Sequence, residues 1–215
     1  MKTYWQKIKG IVGPAEARDF DMVGQKNTRE AIEKFILKNT RKNTKLLDAG
    51  CNTGVEAFRL HEKEFKGRYF GIDNNFKALK FAKKNMKKVH NFEFILSDVS
   101  KLNFKDSYFE IVFTKDVIEH HQHYTKILTE LARVTKKFLI LSMFIKPSFF
   151  LNDRIKLHKD GYYLNRYNQG KLFSFMKKHH FNKPKKIYED WQDVVYVFEK
   201  YDKIQNIALI VHRLE

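Results

Sequence analysis

At 215 residues the chain has the length of one domain with a full core. Hydrophobic residues make up 43% and aromatics 15%, which excludes a disordered chain, and no apolar run is long enough to span a membrane. The net charge of +17 admits nucleic acid or an anionic membrane as a partner. The excess is mostly lysine, spread along the chain without an arginine cluster or basic tail, and accompanied by abundant Asn, Ile and Phe. A solvated lysine-rich surface is therefore the favoured reading. Cys51 is the only cysteine, which rules out an internal disulfide and a multi-cysteine metal site. With no apolar stretch in Met1–Lys7 to make a signal peptide, the expectation is a cytoplasmic protein.

Residues 1–40 read as a helical cap. Asn27-Thr28-Arg29-Glu30 has the form of a capping box, and Ile32, Phe35 and Ile36 fall on one helical face. Upstream, Tyr4, Trp5, Phe20 and Met22 add apolar surface without a clean period. Next comes Leu46-Leu47-Asp48-Ala49-Gly50-Cys51-Asn52-Thr53-Gly54, an apolar strand ending in an acid, a tight turn, and a helix from about Val55 to Phe65. Unpaired N–H groups at such a helix start, beside small residues, make a ready ligand site. The spacing is acid-x-Gly-x-x-x-Gly and not the Gly-x-Gly-x-x-Gly that passes a pyrophosphate. An acid there repels a diphosphate and suits a ligand carrying positive charge.

This stretch resembles the first motif of the class I S-adenosylmethionine-dependent methyltransferases, except that Asn52 stands for the usual middle glycine. Asparagine readily adopts positive φ, so the turn can survive the change. Two more strands ending in acids follow. Gly67 to Asn74 ends in Asp73, about twenty residues past the turn, where this architecture puts a carboxylate on a ribose diol. The alternative is that Asp73 or Asn74 merely caps the helix from about Asn75 to Val89. That helix has an apolar face of Leu79, Ala82, Met86 and Val89 opposite a lysine stripe, read as a solvated face. Phe92 to Val99 closes with Asp98, and the resemblance implies that Asp98 and Val99 receive the adenine.

Tyr108–Thr114 is the fourth strand, and Lys115-Asp116-Val117-Ile118-Glu119-His120-His121 after it resembles the family's fourth motif. An amphipathic helix with Ile127, Leu128, Leu131 and Val134 leads through Thr135-Lys136-Lys137 into a fifth strand, Lys137–Ile145. Lys146–Gln169 is irregular and reads as a lid or acceptor loop, with Tyr162, Tyr163, Arg166 and Tyr167 as candidate acceptor contacts. A helix with Leu172, Phe173 and Met176 precedes two terminal strands, near Lys185–Tyr188 and Ile207–Val211. The resemblance spans about Lys45 to Glu215.

The expectation is one α/β domain, 1–215, of Rossmann-like class I methyltransferase fold. It has a seven-stranded, mostly parallel sheet with an antiparallel last strand and helices on both faces. The cofactor implied by the resemblance is S-adenosyl-L-methionine. Asp48, Gly50, Cys51, Asn52 and Gly54 shape its methionine end with Thr114 and Lys115, Asp73 and Asn74 take the ribose, and Asp98 and Val99 the adenine. His120 is the candidate general base, with an equal claim as a structural group, and His121 a weaker one. His120-His121-x-His123 invites a metal, but adjacent histidines point apart and no acids complete a site, so none is expected. The acceptor is read as a small molecule, a saccharide or other hydroxylated metabolite first. RNA and a non-catalytic binding role are the alternatives.

Overall fold

The computed structural model describes residues 26–201. They form helix α1 (Lys26–Lys38), strand β1 (Lys45–Ala49), α2 (Val55–Glu62), β2 (Arg68–Asp73), α3 (Phe76–Asn85), β3 (Phe92–Leu96) and β4 (Phe109–Lys115). After a 3-10 turn (Ile118–His120) come α4 (Tyr124–Val134), β5 (Thr135–Met143), α5 (Gln169–Lys178), β6 (Lys185–Glu189) and β7 (Val194–Glu199). The strands build one seven-stranded sheet in the order β3-β2-β1-β4-β5-β7-β6. β1 to β5 run parallel, and β7 lies antiparallel between β5 and β6.

The central strands read as continuous apolar runs because both sheet faces are covered. Alternation along β1 shows it: Leu47 and Ala49 face one core with α4 and α5 (Leu128, Leu131, Leu172, Met176). Leu46 faces the other with α1, α2 and α3 (Ile32, Ile36, Leu60, Leu79). Helix α1 lies over the β5–β7 half of that face, where Phe35 meets Phe138 edge-on at 5.2 Å. It is joined to α2 by ion pairs from Arg29 to Glu56 and from Arg59 and Lys63 to the buried Glu33.

Several boundaries differ from the sequence reading. Asn27-Thr28-Arg29-Glu30 is not a capping box: Thr28 is inside α1 and donates its hydroxyl to Asp193 at 2.7 Å. The α3 helix stops at Asn85, and its cap is Asn75, whose side chain accepts from the N–H groups of Lys77 and Ala78. β5 starts at Thr135 directly from the end of α4, so the connection has no residue of its own. The last strand of the sheet is Val194–Glu199, while the run Ile207–Val211 lies outside the described residues, as do Tyr4, Trp5, Phe20 and Met22. Val194-Val195-Tyr196-Val197-Phe198 is buried throughout because β7 is flanked by strands and faced on both sides.

Between β5 and α5 the chain has no long element. Single bridges pair Arg154 with Arg166 and Leu157 with Tyr163, making a short irregular ribbon, and Ser148 with Asn168 closes its base.

Candidate active site

The strand order reverses between β1 and β4, so the turns after β1, β2, β3 and β4 share one edge of the sheet, where an open α/β sheet has its crevice. The turn after β1 is built from left-handed residues: Gly50 at φ 92°, Asn52 at φ 48° and Gly54 at φ 80°. Asn52 therefore holds the conformation that a glycine would otherwise supply. The turn is pinned to the end of β2 by the N–H groups of Gly50 (2.8 Å) and Cys51 (2.9 Å) on Ile72 O. A Cβ on Gly50 would lie 2.4 Å from Val117 Cγ2, so the chain after β4 closes against bare backbone. Gly54 caps α2 without a side chain, leaving the helix start turned to the crevice.

Beneath this turn lies a group of buried acids. Asp48 is buried and accepts from the Tyr69 hydroxyl. Burial raises its carboxyl well above the usual range; Glu56 and Asp73 raise it further, against the Tyr69 bond. Glu56, also raised by burial, pairs with Arg29 and feels Lys115. Its Oε2 has no hydrogen-bond partner among the described residues. A cation at the turn would relieve all of these carboxyls. Cys51 is buried, and its thiol is raised well above normal by burial and then by Asp48, which removes it as a nucleophile.

Asp73 closes β2. Its Oδ2 accepts from Asn52 N at 2.9 Å and its Oδ1 from Asn75 N at 2.8 Å. Burial raises the carboxyl, opposed by the N–H groups of Asn75, Asn52 and Asn74. A carboxylate offers about four lone-pair positions, so capacity remains for a ribose hydroxyl. These bonds fix its direction, and the helix is capped by Asn75 and not by Asp73 or Asn74. One strand over, β3 ends at Leu96, short of Asp98. Asp98 lies exposed in the following turn, accepting from Ser100 N at 2.8 Å, with Val99 buried beside it.

At the end of β4 the polar groups are largely committed to the protein. Thr114 is buried and donates its hydroxyl to Ala49 O at 2.9 Å, joining β4 to β1, so it offers a ligand no donor. Lys115 pairs with Asp116, which sits in a left-handed conformation at φ 56°. Glu119, fully buried, accepts at Oε1 from Phe144 N at 2.9 Å. Burial first, and Asp116 second, push its carboxyl up to about 8. Sequence reasoning passed over Glu119, Glu56 and Tyr69. Only the acid just past a fourth sheet strand, Asp116, carried a usable signal.

His120 and the ribbon meet at one point. The Nδ1 of His120 lies 2.8 Å from Tyr163 O, and a carbonyl only accepts, so Nδ1 carries the proton and the lone pair is on Nε2. Burial lowers the imidazole pKa, against the Tyr163 bond and Asp116. The ring sits 5.3 Å from Phe144 and 5.8 Å from Tyr162, which stacks on His158 at 4.5 Å. The His121 imidazole pKa is lowered by burial, against the charge of Asp98; its carbonyl accepts from Asn165 Nδ2 at 2.8 Å. His123 is exposed, and no three His, Cys, Asp or Glu side chains gather for a metal among the described residues.

Of the four candidate acceptor contacts, Tyr162 and Tyr163 reach the His120 neighbourhood. Tyr167 does not: it is fully buried and its hydroxyl donates to Ile118 O at 2.6 Å, a packing role. Arg166 pairs through its backbone with Arg154 in the ribbon.

A methyltransferase-domain family model matches residues 40–200. An uncharacterized methyltransferase of Schizosaccharomyces pombe is 31% identical over 117 residues, 51% of this chain and 42% of that protein. The chain thus spans less than half the length of the curated relatives it matches. Among solved structures, magnesium protoporphyrin IX methyltransferase from Synechocystis with bound S-adenosylmethionine superposes at a TM-score of 0.64, with 16% identity, covering 92% of this chain and 90% of that one. The 1,6-didemethyltoxoflavin-N1-methyltransferase of Burkholderia thailandensis, with its substrate and S-adenosylhomocysteine bound, superposes at 0.62 with 14% identity, covering 91% and 93%. With the sheet order, the acids at or near the ends of β1, β2 and β3 and a family match over most of its length, the chain belongs to the class I S-adenosylmethionine-dependent methyltransferases.

Proposed function

We propose that this protein transfers a methyl group from S-adenosylmethionine to a small-molecule acceptor, a hydroxylated metabolite such as a saccharide first. The observation that carries the cofactor reading is Asp73, aimed by two backbone N–H groups beside the left-handed Gly50–Gly54 turn. Asp48 and Glu56 supply negative charge beneath that turn, Asp73 and Asn74 the ribose contacts, and Asp98 and Val99 the adenine end. When bound, S-adenosylmethionine supplies an electrophilic methyl group on a positively charged sulfur. His120 then serves as general base: its Nε2 lone pair takes the proton as the acceptor oxygen attacks. Tyr162 and Phe144 wall the acceptor side and exclude water. The small-molecule reading is supported by the ribbon, which crosses directly to His120, and by a neighbour of similar length that has 1,6-didemethyltoxoflavin bound.

Calorimetric titration with S-adenosylhomocysteine tests this, comparing wild type with Asp73→Ala. We expect micromolar-range binding that falls by at least about tenfold in the variant, the cost of one charge-assisted bidentate contact. Well-folded protein that binds neither S-adenosylmethionine nor S-adenosylhomocysteine would refute the enzyme reading and leave a binding role. The +17 charge keeps RNA as the second acceptor reading; RNA binding with a steep salt dependence would favour it.

A further inference from the structure

The loop between β5 and α5 holds apolar side chains out in solvent by design of its backbone. Its base is closed by Ser148 N on Tyr167 O (3.0 Å) and Gln169 N on Ser148 O (2.9 Å). Within it, the Asn168 side-chain amide donates to Phe149 O (3.2 Å) and Leu151 O (3.0 Å), and Phe150 N donates to Ser148 Oγ (3.3 Å). The carbonyls of Phe149 and Leu151 therefore turn inward, and the side chains stand largely outward, with the Phe149 ring still edge-on to Phe173 at 6.4 Å. Phe149 is 62% exposed, Phe150 98% and Leu151 47%. Farther along, Ile155 and Leu157, two apart on the ribbon and so on one face, are 45% and 59% exposed. A hydrophobic cluster of this kind marks an interaction surface.

The charges around it identify the partner. Residues 148–168 carry Arg154, Lys156, Lys159 and Arg166 against Asp153 and Asp160, four minus two, or +2. Asp153 is turned inward, accepting from Asn168 N at 2.6 Å, and Asp160 is exposed beside His158. Arg154, Lys156 and Lys159 are exposed and have no ion-pair partner among the described residues. Exposed apolar tips on a segment that also carries exposed cations match an anionic lipid surface, where the tips enter the acyl boundary and the cations reach phosphates. Protein interfaces are depleted in lysine; Phe149 and Phe150 are rings on which a nucleic-acid base can stack, but the aliphatic Leu151, Ile155 and Leu157 beside them suit an acyl boundary better than a base.

We propose that the 148–168 loop docks the protein on an anionic bilayer, with Phe149, Phe150 and Leu151 inserted and Arg154, Lys156 and Lys159 on the headgroups. This surface role is independent of the methyl-transfer reading, since neither cofactor nor acceptor takes part in it. The test is co-sedimentation of the full chain with vesicles of phosphatidylcholine alone or mixed with phosphatidylglycerol. Binding is expected to the mixed vesicles only. Phe150→Asp should weaken it more than about tenfold, and Lys156→Gln about fivefold, the share of one basic residue at such a surface. Phe150 has no fold contacts to lose, and unchanged circular dichroism of both variants keeps the comparison clean. No binding to mixed vesicles overturns the proposal. So does binding that survives Phe150→Asp, which would be charge adhesion alone, and so does equal binding to phosphatidylcholine. A self-association in vesicle-free buffer that Phe150→Asp abolishes would assign the face to a second copy of the chain instead.

Discussion

Glu119→Gln tests the electrostatics at the end of β4. The carboxyl moves from the ordinary 4.5 to about 8 through burial and Asp116. At about 1.36 kcal/mol per pKa unit, that makes ionisation in the folded protein cost about 5 kcal/mol more than in the unfolded chain. The folded state keeps its proton where the unfolded state has lost it. Stability contributed by this group is therefore complete below pH 4.5 and is lost as pH rises toward 8. At pH 7 the loss is about 3 kcal/mol. Glutamine keeps an acceptor for Phe144 N and does not titrate. Urea unfolding of both proteins from pH 4.5 to 9 should show the variant gaining on wild type by about 3 kcal/mol at pH 7, levelling near about 5 above pH 8. Asp116→Asn, removing the second cause, should flatten the slope. A difference that stays constant from pH 5 to 8 would refute the account, because Glu119 would then ionise normally in the folded protein.

Other perturbations probe the remaining contacts. Gly50→Ala sets a Cβ 2.4 Å from Val117 Cγ2 at φ 92°; it should cost about 1–3 kcal/mol in urea unfolding. It should also weaken S-adenosylhomocysteine binding, and adding Val117→Ala should restore part of both losses. Tyr69→Phe removes the donor to the buried Asp48 carboxyl, for an expected loss of about 1–3 kcal/mol of stability by the same assay. Burial lowers the His120 imidazole, so the basic form persists below the ordinary 6.5. Once an acceptor is known, the acid limb of kcat/KM should fall below that value, and His120→Ala should abolish the limb while leaving S-adenosylhomocysteine affinity intact.

The cofactor side was legible because its signals are local. Asp48 and Asp73 close runs of buried residues, Asp98 follows an apolar strand, and Asn52 at φ 48° is a substitution that the backbone chemistry of asparagine foretells. What local pattern could not reveal is which partner a polar group chooses. Thr28 carries a capping pattern, yet its hydroxyl serves Asp193, 165 residues away. Thr114 and Tyr167 have the right chemistry for ligands, but both hydroxyls answer backbone carbonyls brought near only by the fold. Glu119 was invisible because its shift arises first from burial, which only the fold imposes, and then from Asp116, while the backbone after β5 that opposes it lies 25 residues on at Phe144. The strand Val194–Glu199 was passed over because Val194–Phe198, buried on both faces, shows no alternation to fix its type.

The Thr28–Asp193 hydrogen bond also sets an order of events in assembly. Helix α1 precedes every described strand in the chain, yet the surface that receives Ile32 and Ile36 includes Val195 and Val197 of β7. Its seat is finished only when the last hairpin has paired with β5. Closing a loop of that length is entropically slow. The first described helix is thus among the last to dock, and its apolar stripe stays uncovered on a nascent chain until the sheet is nearly whole.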